Sequence, residues 1–169
     1  MNELVAAEPR LPVVYAETTL FSYLGSRGAG GAISRGHLEA THRWWRNERS
    51  KYRLIVSQIV LDECALGDPG AAKRRLSYLE GVEVVDVTAE ARELADRLVL
   101  LGAVPRSHPL DAFHIAVATV QRAEYLLTWN CKHIANATLA KRITAVCSGY
   151  GSAPLMCTPD QLGAGDEDD

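Results

Sequence analysis

The 169-residue sequence is poor in several things at once, and each scarcity removes a class of protein. Its four cysteines, Cys64, Cys131, Cys147 and Cys157, are scattered and form no Cys-x-x-Cys pair, so zinc-ribbon and thioredoxin-like chemistry have no basis. They read as buried small hydrophobes, reduced in a cytoplasmic chain, with Cys131 alone near the candidate site. No apolar run approaches the roughly 20 residues of a membrane span. The start MNELVAAEPRLP lacks the basic opening and apolar core of a secretory signal, so a cytoplasmic location is expected. The glycine-rich stretch GSRGAGGAISRG lacks Gly-x-Gly-x-x-Gly order and is not followed by Gly-Lys-Ser or Gly-Lys-Thr. It reads as a connector rather than a phosphate loop. Asn-Gly hairpin turns, internal repeats and a second domain boundary are also missing. With a formal net charge of -3, a strongly basic nucleic-acid coat is excluded. The tail DQLGAGDEDD holds much of the acid, and the rest is closer to neutral or slightly basic.

What is present is ordinary globular material: 47% hydrophobic and 23% charged residues, enough to bury a core without metal or disulfide staples. The expected organisation is a short N-terminal lead over residues 1–11, one domain over 12–159, and a disordered acidic tail over 160–169. Apolar β-forming runs alternate with helical patterns. LPVVYA, LIVS, VEVVDV and YLLT read as strands, and APLMCTP as a late edge strand. Between them lie LFSYL, HLEATHRWWRNERSKYR, QIVLDECALG, AAKRRLSYLEG, TAEARELADRLVLLG, HPLDAFHIAVAT and NATLAKRITAVC. The fold class is therefore α/β, a parallel sheet with helices on both faces. Thr18 or Thr19 is expected to cap the first helix, Thr88 the fifth, and Pro109 suits a first helical turn.

Four polar residues fall where a parallel sheet gathers its ligands, outside the carboxyl ends of its strands. Glu17 follows the first strand and Glu63 lies in the helix after the second. Asp111 opens the helix before YLLT, and Asn130 follows that strand. Taken singly each has an ordinary role, as helix cap, solvated helix residue, dipole partner or turn residue. Together at one sheet edge, three carboxylates would repel unless a cation lay between them, and oxygen donors of this kind suit Mg²⁺ or Mn²⁺. Such a centre activates water against a phosphodiester.

The pieces VVYAETTLFSYL, VSQIVLDECALGDP, HPLDAFHIAVAT and EYLLTWNCKHIAN resemble the successive motifs of PIN-domain proteins, and more narrowly the VapC-like toxins of bacterial toxin–antitoxin systems. The resemblance extends over nearly all of residues 12–159. It implies a PIN-like three-layer sandwich with a central parallel sheet of about five strands. It implies a Mg²⁺- or Mn²⁺-dependent ribonuclease whose acidic positions fall on Glu17, Glu63, Asp111 and Asn130. It also implies a homodimer and a small antitoxin partner. Two positions depart from the family pattern: Glu17 stands where Asp is usual, and Asn130 where Asp is frequent. Asn130 removes a charge and with it support for a second metal. The rival reading is a PIN-like module that binds RNA or protein without cutting.

Around these four, Thr18 and Thr128 are candidate hydrogen-bond partners of the carboxylates. His114, one turn after Asp111, is expected to pack or support the site rather than act as a base. His133 is either a phosphate contact or an exposed turn residue. HRWWRNERSKYR mixes cations with aromatics, which suits single-stranded RNA; Arg43 and Arg46 there, with Lys132, are candidate RNA contacts. At least one of Trp44 and Trp45 is expected to be buried, the other to meet a dimer or antitoxin partner. Lys73, Arg74 and Arg75 read as a solvated helix face.

Overall fold

In the computed structural model of the chain, described here over residues 10–28 and 30–163, five strands form one parallel sheet. They are β1 (Val13–Ala16), β2 (Arg53–Ser57), β3 (Glu83–Val85), β4 (Tyr125–Leu127) and β5 (Leu155–Cys157), in the order β3-β2-β1-β4-β5. The seven α-helices among the described residues are α1 (Thr18–Leu24), α2 (Ala32–Asn47), α3 (Gln58–Cys64), α4 (Pro69–Ser77), α5 (Ala89–Leu100), α6 (Pro109–Val120) and α7 (Ala137–Cys147). No described helix is long and apolar enough to cross a membrane.

The strand order explains the layers. From β1 the chain steps outward to β2 and β3, then crosses back over to β4 and on to β5. Right-handed crossovers in opposite directions place their helices on opposite faces. Accordingly α1 packs with α2, α3 and α4, whereas α5 packs with α6 and α7. Covered on both sides, β1 is apolar throughout rather than alternating: Val13, Val14, Tyr15 and Ala16 are all buried. The core joins it to Leu20, Phe21, Ile55, Leu94, Ile115, Leu126 and Leu127.

Helix starts follow local chemistry. Asp68 caps α4 by accepting from Ala71 N–H at 2.8 Å, Thr88 caps α5 through Ala91, and Pro109 opens α6. Gly102, at φ +69°, ends α5 in the left-handed conformation that suits glycine.

Three expectations need correction. The glycine-rich connector is shorter than its composition implies, because α2 already begins at Ala32 and takes in Gly36. The burial of Ala40, Thr41 and Trp44 on one face of that helix outweighs the ~1 kcal/mol cost of one helical glycine. Arg74 and Arg75 do not form a solvated face. Arg74 Nε donates to the Gly25 carbonyl and Arg75 Nε to that of Cys64, at 2.8 and 2.9 Å, tying α4 to the ends of α1 and α3; only Lys73 is exposed. Trp45 is half-buried. It meets Phe21 and Tyr78 edge-on, and Arg49 lies 4.8 Å from its ring centre, while Trp44 is buried as expected. Ordered packing also runs past 159. The side chain of Gln161 accepts from Thr158 N–H at 3.0 Å and Leu162 is buried. The remainder of the expected tail, 164–169, and residues 1–9 of the expected lead lie outside the described residues.

Candidate active site

The strand order changes direction between β1 and β4, the switch point where open α/β sheets bind ligands at the carboxyl edge. Register pairs Ala16 with Leu127, so Glu17 and Thr128 leave the sheet side by side. Glu17 is only 4% exposed. It, rather than Thr18 or Thr19, is the N-cap of α1, because its carboxylate accepts from Thr19 N–H at 3.1 Å. The same oxygen, Oε2, also accepts from the hydroxyls of Thr19 and Thr128, the latter at 2.7 Å. Thr19 Oγ1 in turn accepts from Trp129 N–H at 2.8 Å, and Thr128 Oγ1 from Asn130 N–H at 2.9 Å. The two threonines lace the exit of β4 to the exit of β1.

Glu63 comes from α3, one helical layer, and His114 and Asp111 from α6, the other. Glu63 Oε1 accepts from Thr18 Oγ1 and lies against His114 Nε2, both at 2.7 Å. The other imidazole nitrogen, Nδ1, is 2.9 Å from the Tyr15 hydroxyl, which is 2.8 Å from Ser57 Oγ. These residues form a buried chain from the core to Glu63. Donor atoms of Glu17, Glu63 and His114 lie within 4.8 Å of one another, a group able to hold a metal ion.

Asp111 and Asn130 assemble separately, around His133. Asp111 Oδ2 is 2.8 Å from His133 Nδ1, and Asn130 Oδ1 accepts from His133 N–H at 3.0 Å. His133 is buried, with the His108 ring beside it at 4.2 Å. It is neither an exposed turn residue nor open along its whole edge to a phosphate.

A pattern unites the three carboxylates. Glu17 Oε2, Glu63 Oε1 and Asp111 Oδ2 are each held by protein donors; Glu17 Oε1, Glu63 Oε2 and Asp111 Oδ1 take none among the described residues. None of the free oxygens is sealed from solvent. One oxygen anchored and one left open is how outer partners orient metal-ligating carboxylates, and the donor set fits a hard divalent cation. Asn130 fits less well, because its oxygen already accepts from His133.

Burial pushes the Glu63 carboxyl up, but the hydrogen bond and charge of His114, with the Thr18 hydroxyl, outweigh it and hold it below the usual range. Burial pushes His114 down, yet its bond to Glu63 and the charges of Glu17, Glu63 and Asp111 raise it overall. Burial, with a smaller push from Glu17 and Glu63, keeps the Tyr15 phenol protonated, against the opposing Ser57 bond. The raised imidazole contributes stability that is full below its ordinary 6.5 and is lost as pH rises through its higher folded value. The depressed carboxyl contributes above its ordinary 4.5 and loses this as pH falls. In metal-free protein the pair therefore stabilises most between these two values. Urea midpoints at about pH 5.5 and about pH 8 should fall with pH in the wild type and less in Glu63→Gln; equal slopes would contradict the pairing.

Thr18, Thr128 and His114 support the carboxylates as expected. Arg43, Arg46 and Lys132 are exposed, as phosphate contacts must be. Tyr15, Ser57 and Thr19 were not anticipated. The one available signal was Tyr15 itself, since a tyrosine in a doubly covered strand needs a partner for its hydroxyl.

This fold is the PIN-like sandwich. No family model and no curated protein matches the chain. Among solved structures it is similar to a chain of VapBC2 from Rickettsia felis, crystallised on a DNA fragment from its promoter. The likeness covers 86% of this chain and 98% of that one, at 15% identity and TM-score 0.57. It is also similar to VapC20 of Mycobacterium tuberculosis, a toxin that cleaves the sarcin-ricin loop, over 71% of this chain and 92% of that one, at 21% identity and TM-score 0.52. At such identities the likeness is one of fold.

Proposed function

We propose that the chain is a Mg²⁺- or Mn²⁺-dependent endoribonuclease, the toxin of a toxin–antitoxin pair. The observation that carries this reading is the set of Glu17, Glu63 and His114 donor atoms within 4.8 Å of one another, with one carboxylate oxygen on each of Glu17, Glu63 and Asp111 bonded to no protein donor among the described residues. The shared fold with a toxin that cleaves the sarcin-ricin loop adds to it. Glu17, Glu63 and Asp111 would hold the cation. Bound there, it would lower the pKa of a water and neutralise charge on a phosphoryl oxygen. Asn130 acts through His133, whose backbone it fixes and whose ring orients Asp111. His114 keeps Glu63 ionised and aimed. In-line attack of water on phosphorus, with cleavage of the bond to the 3′ oxygen, leaves a 5′-phosphate and a 3′-hydroxyl. Exposed Arg43, Arg46 and Lys132 supply cations for the RNA backbone. A small antitoxin protein and a second copy of the chain are its proposed partners, and the cytoplasm its proposed location.

The test is cleavage of a mixed RNA pool with Mg²⁺ or Mn²⁺ and with EDTA, comparing wild type with Asp111→Asn. Cleavage should vanish in EDTA and drop by about 100-fold or more in the variant, beyond what losing an outer-shell partner costs a metal site. Activity indifferent to EDTA, or equal in the two proteins, would overturn the assignment.

A further inference from the structure

Nearly every aromatic side chain of this protein lies in the main core or packs against it: Tyr15, Phe21, Trp44, Trp45, Tyr52, Tyr78, Phe113, Tyr125 and Tyr150. Tyr23 and Trp129 do not. Both are half-buried, as is His37 on α2, and the three form a cluster of their own. The rings of His37 and Trp129 are stacked, 3.9 Å between centres and 16° from parallel. Tyr23 stands edge-on to both, at 5.4 Å from His37 and 5.9 Å from Trp129.

Two features make this cluster more than packing. First, most of its polar atoms are already engaged. Trp129 Nε1 donates to Thr41 Oγ1 at 2.8 Å, and the Tyr23 hydroxyl is 3.0 Å from His37 Nδ1. Trp129 is half-buried, its indole N–H is taken and its ring is held between His37 and Tyr23. Second, Trp129 is tied to the candidate metal site. It lies between Thr128, which donates to Glu17, and Asn130, and its own N–H is bonded to Thr19, another donor to Glu17. Tyr23 lies on α1, the helix that Glu17 caps. The helix bearing His37 also carries exposed Arg35, Arg43 and Arg46, charge complementary to a phosphate chain.

Building on the nuclease reading, we propose that Tyr23, His37 and Trp129 form a stacking platform for one unpaired nucleobase next to the scissile phosphate of single-stranded RNA. Stacking on an aromatic face is available to every base, and Trp129 lacks a free edge donor, so the platform holds a nucleotide in place with little sequence preference. It differs from the phosphate contacts, which register the backbone and ignore the base.

The experiment measures binding of full-length protein in EDTA to a fluorescent single-stranded RNA of mixed sequence, and to the same oligonucleotide with abasic positions. Wild type should bind the ordinary RNA about 10-fold more tightly than the abasic one, the effect of one lost stack. Trp129→Leu and His37→Ala should each bring that ratio close to one, and Trp129→Phe should restore most of it. His37→Ala guards against misfolding of the tryptophan variant, and thermal melts verify both. Equal wild-type affinity for the two RNAs would overturn the platform, as would an unchanged ratio in a folded Trp129→Leu. If metal-dependent cleavage persists in that case, the nuclease reading stands without the platform. If wild type neither binds nor cuts RNA, both fall.

Discussion

Glu17→Gln is expected to cut metal-dependent RNA cleavage by about 100-fold or more while making the metal-free protein more stable, not less. The two effects have separate causes in one side chain. Oε2 accepts three protein hydrogen bonds, from Thr19 N–H and the hydroxyls of Thr19 and Thr128. The amide oxygen of Gln can take that place unchanged. Its NH₂ then occupies the position of Oε1 without carrying its charge. A repulsion between like charges within 4.8 Å, worth ~1 kcal/mol even in water, is removed. The thermal midpoint in EDTA should rise by about 2–4 °C, the shift that 1 kcal/mol gives a chain of this size. On the proposed metal reading, Mn²⁺ should raise the midpoint of the wild type and leave that of the variant, which lacks the Glu17 carboxylate oxygen, unchanged. A variant still stabilised by Mn²⁺, or one that melts well below wild type in EDTA, would show that Glu17 is a structural cap and not a ligand.

Tyr15→Phe should be the most destabilising single-atom deletion near the site, although no contact to substrate is involved. Tyr15 has no exposed surface, and neither has Ser57. Removing the phenolic oxygen leaves Ser57 Oγ and His114 Nδ1 buried and unpaired. Each orphaned group costs about 1–3 kcal/mol, so the total is roughly 2–6 kcal/mol, or a fall of about 4–24 °C in midpoint. Cleavage should also fall about 10- to 100-fold, because the imidazole that aims Glu63 loses its second anchor. Adding Ser57→Ala deletes one of the two orphans. The double variant should therefore melt closer to Tyr15→Phe than additivity predicts. Strict additivity would mean that the chain of hydrogen bonds is not formed in solution.

Much of this was legible in the residues. Strand and helix types, the cap at Thr88, the helix start at Pro109, and the parallel order of the sheet follow from apolar periodicity and local backbone chemistry, which act over a few positions. So does the gathering of Glu17, Glu63, Asp111 and Asn130 at one edge, since parallel topology alone puts strand exits together. The start of α2 was not legible, because its glycines argue locally for a connector and only burial of Ala40, Thr41 and Trp44 argues for the helix.

The sequence by itself determined the fold class and which carboxylates share the sheet edge. Tertiary structure alone decided what each carboxylate does there. It put Glu17 and Glu63 around His114 but turned Asp111 and Asn130 toward His133, and it ran a hydrogen-bond chain back to Tyr15 and Ser57. It also set Trp129 against His37 outside the core. The reason is physical. Periodicity places backbones, whereas the choice of partner for a polar atom depends on distances of 2.7 to 3.0 Å between residues as far apart in the chain as Tyr15 and His114, and no local pattern encodes those.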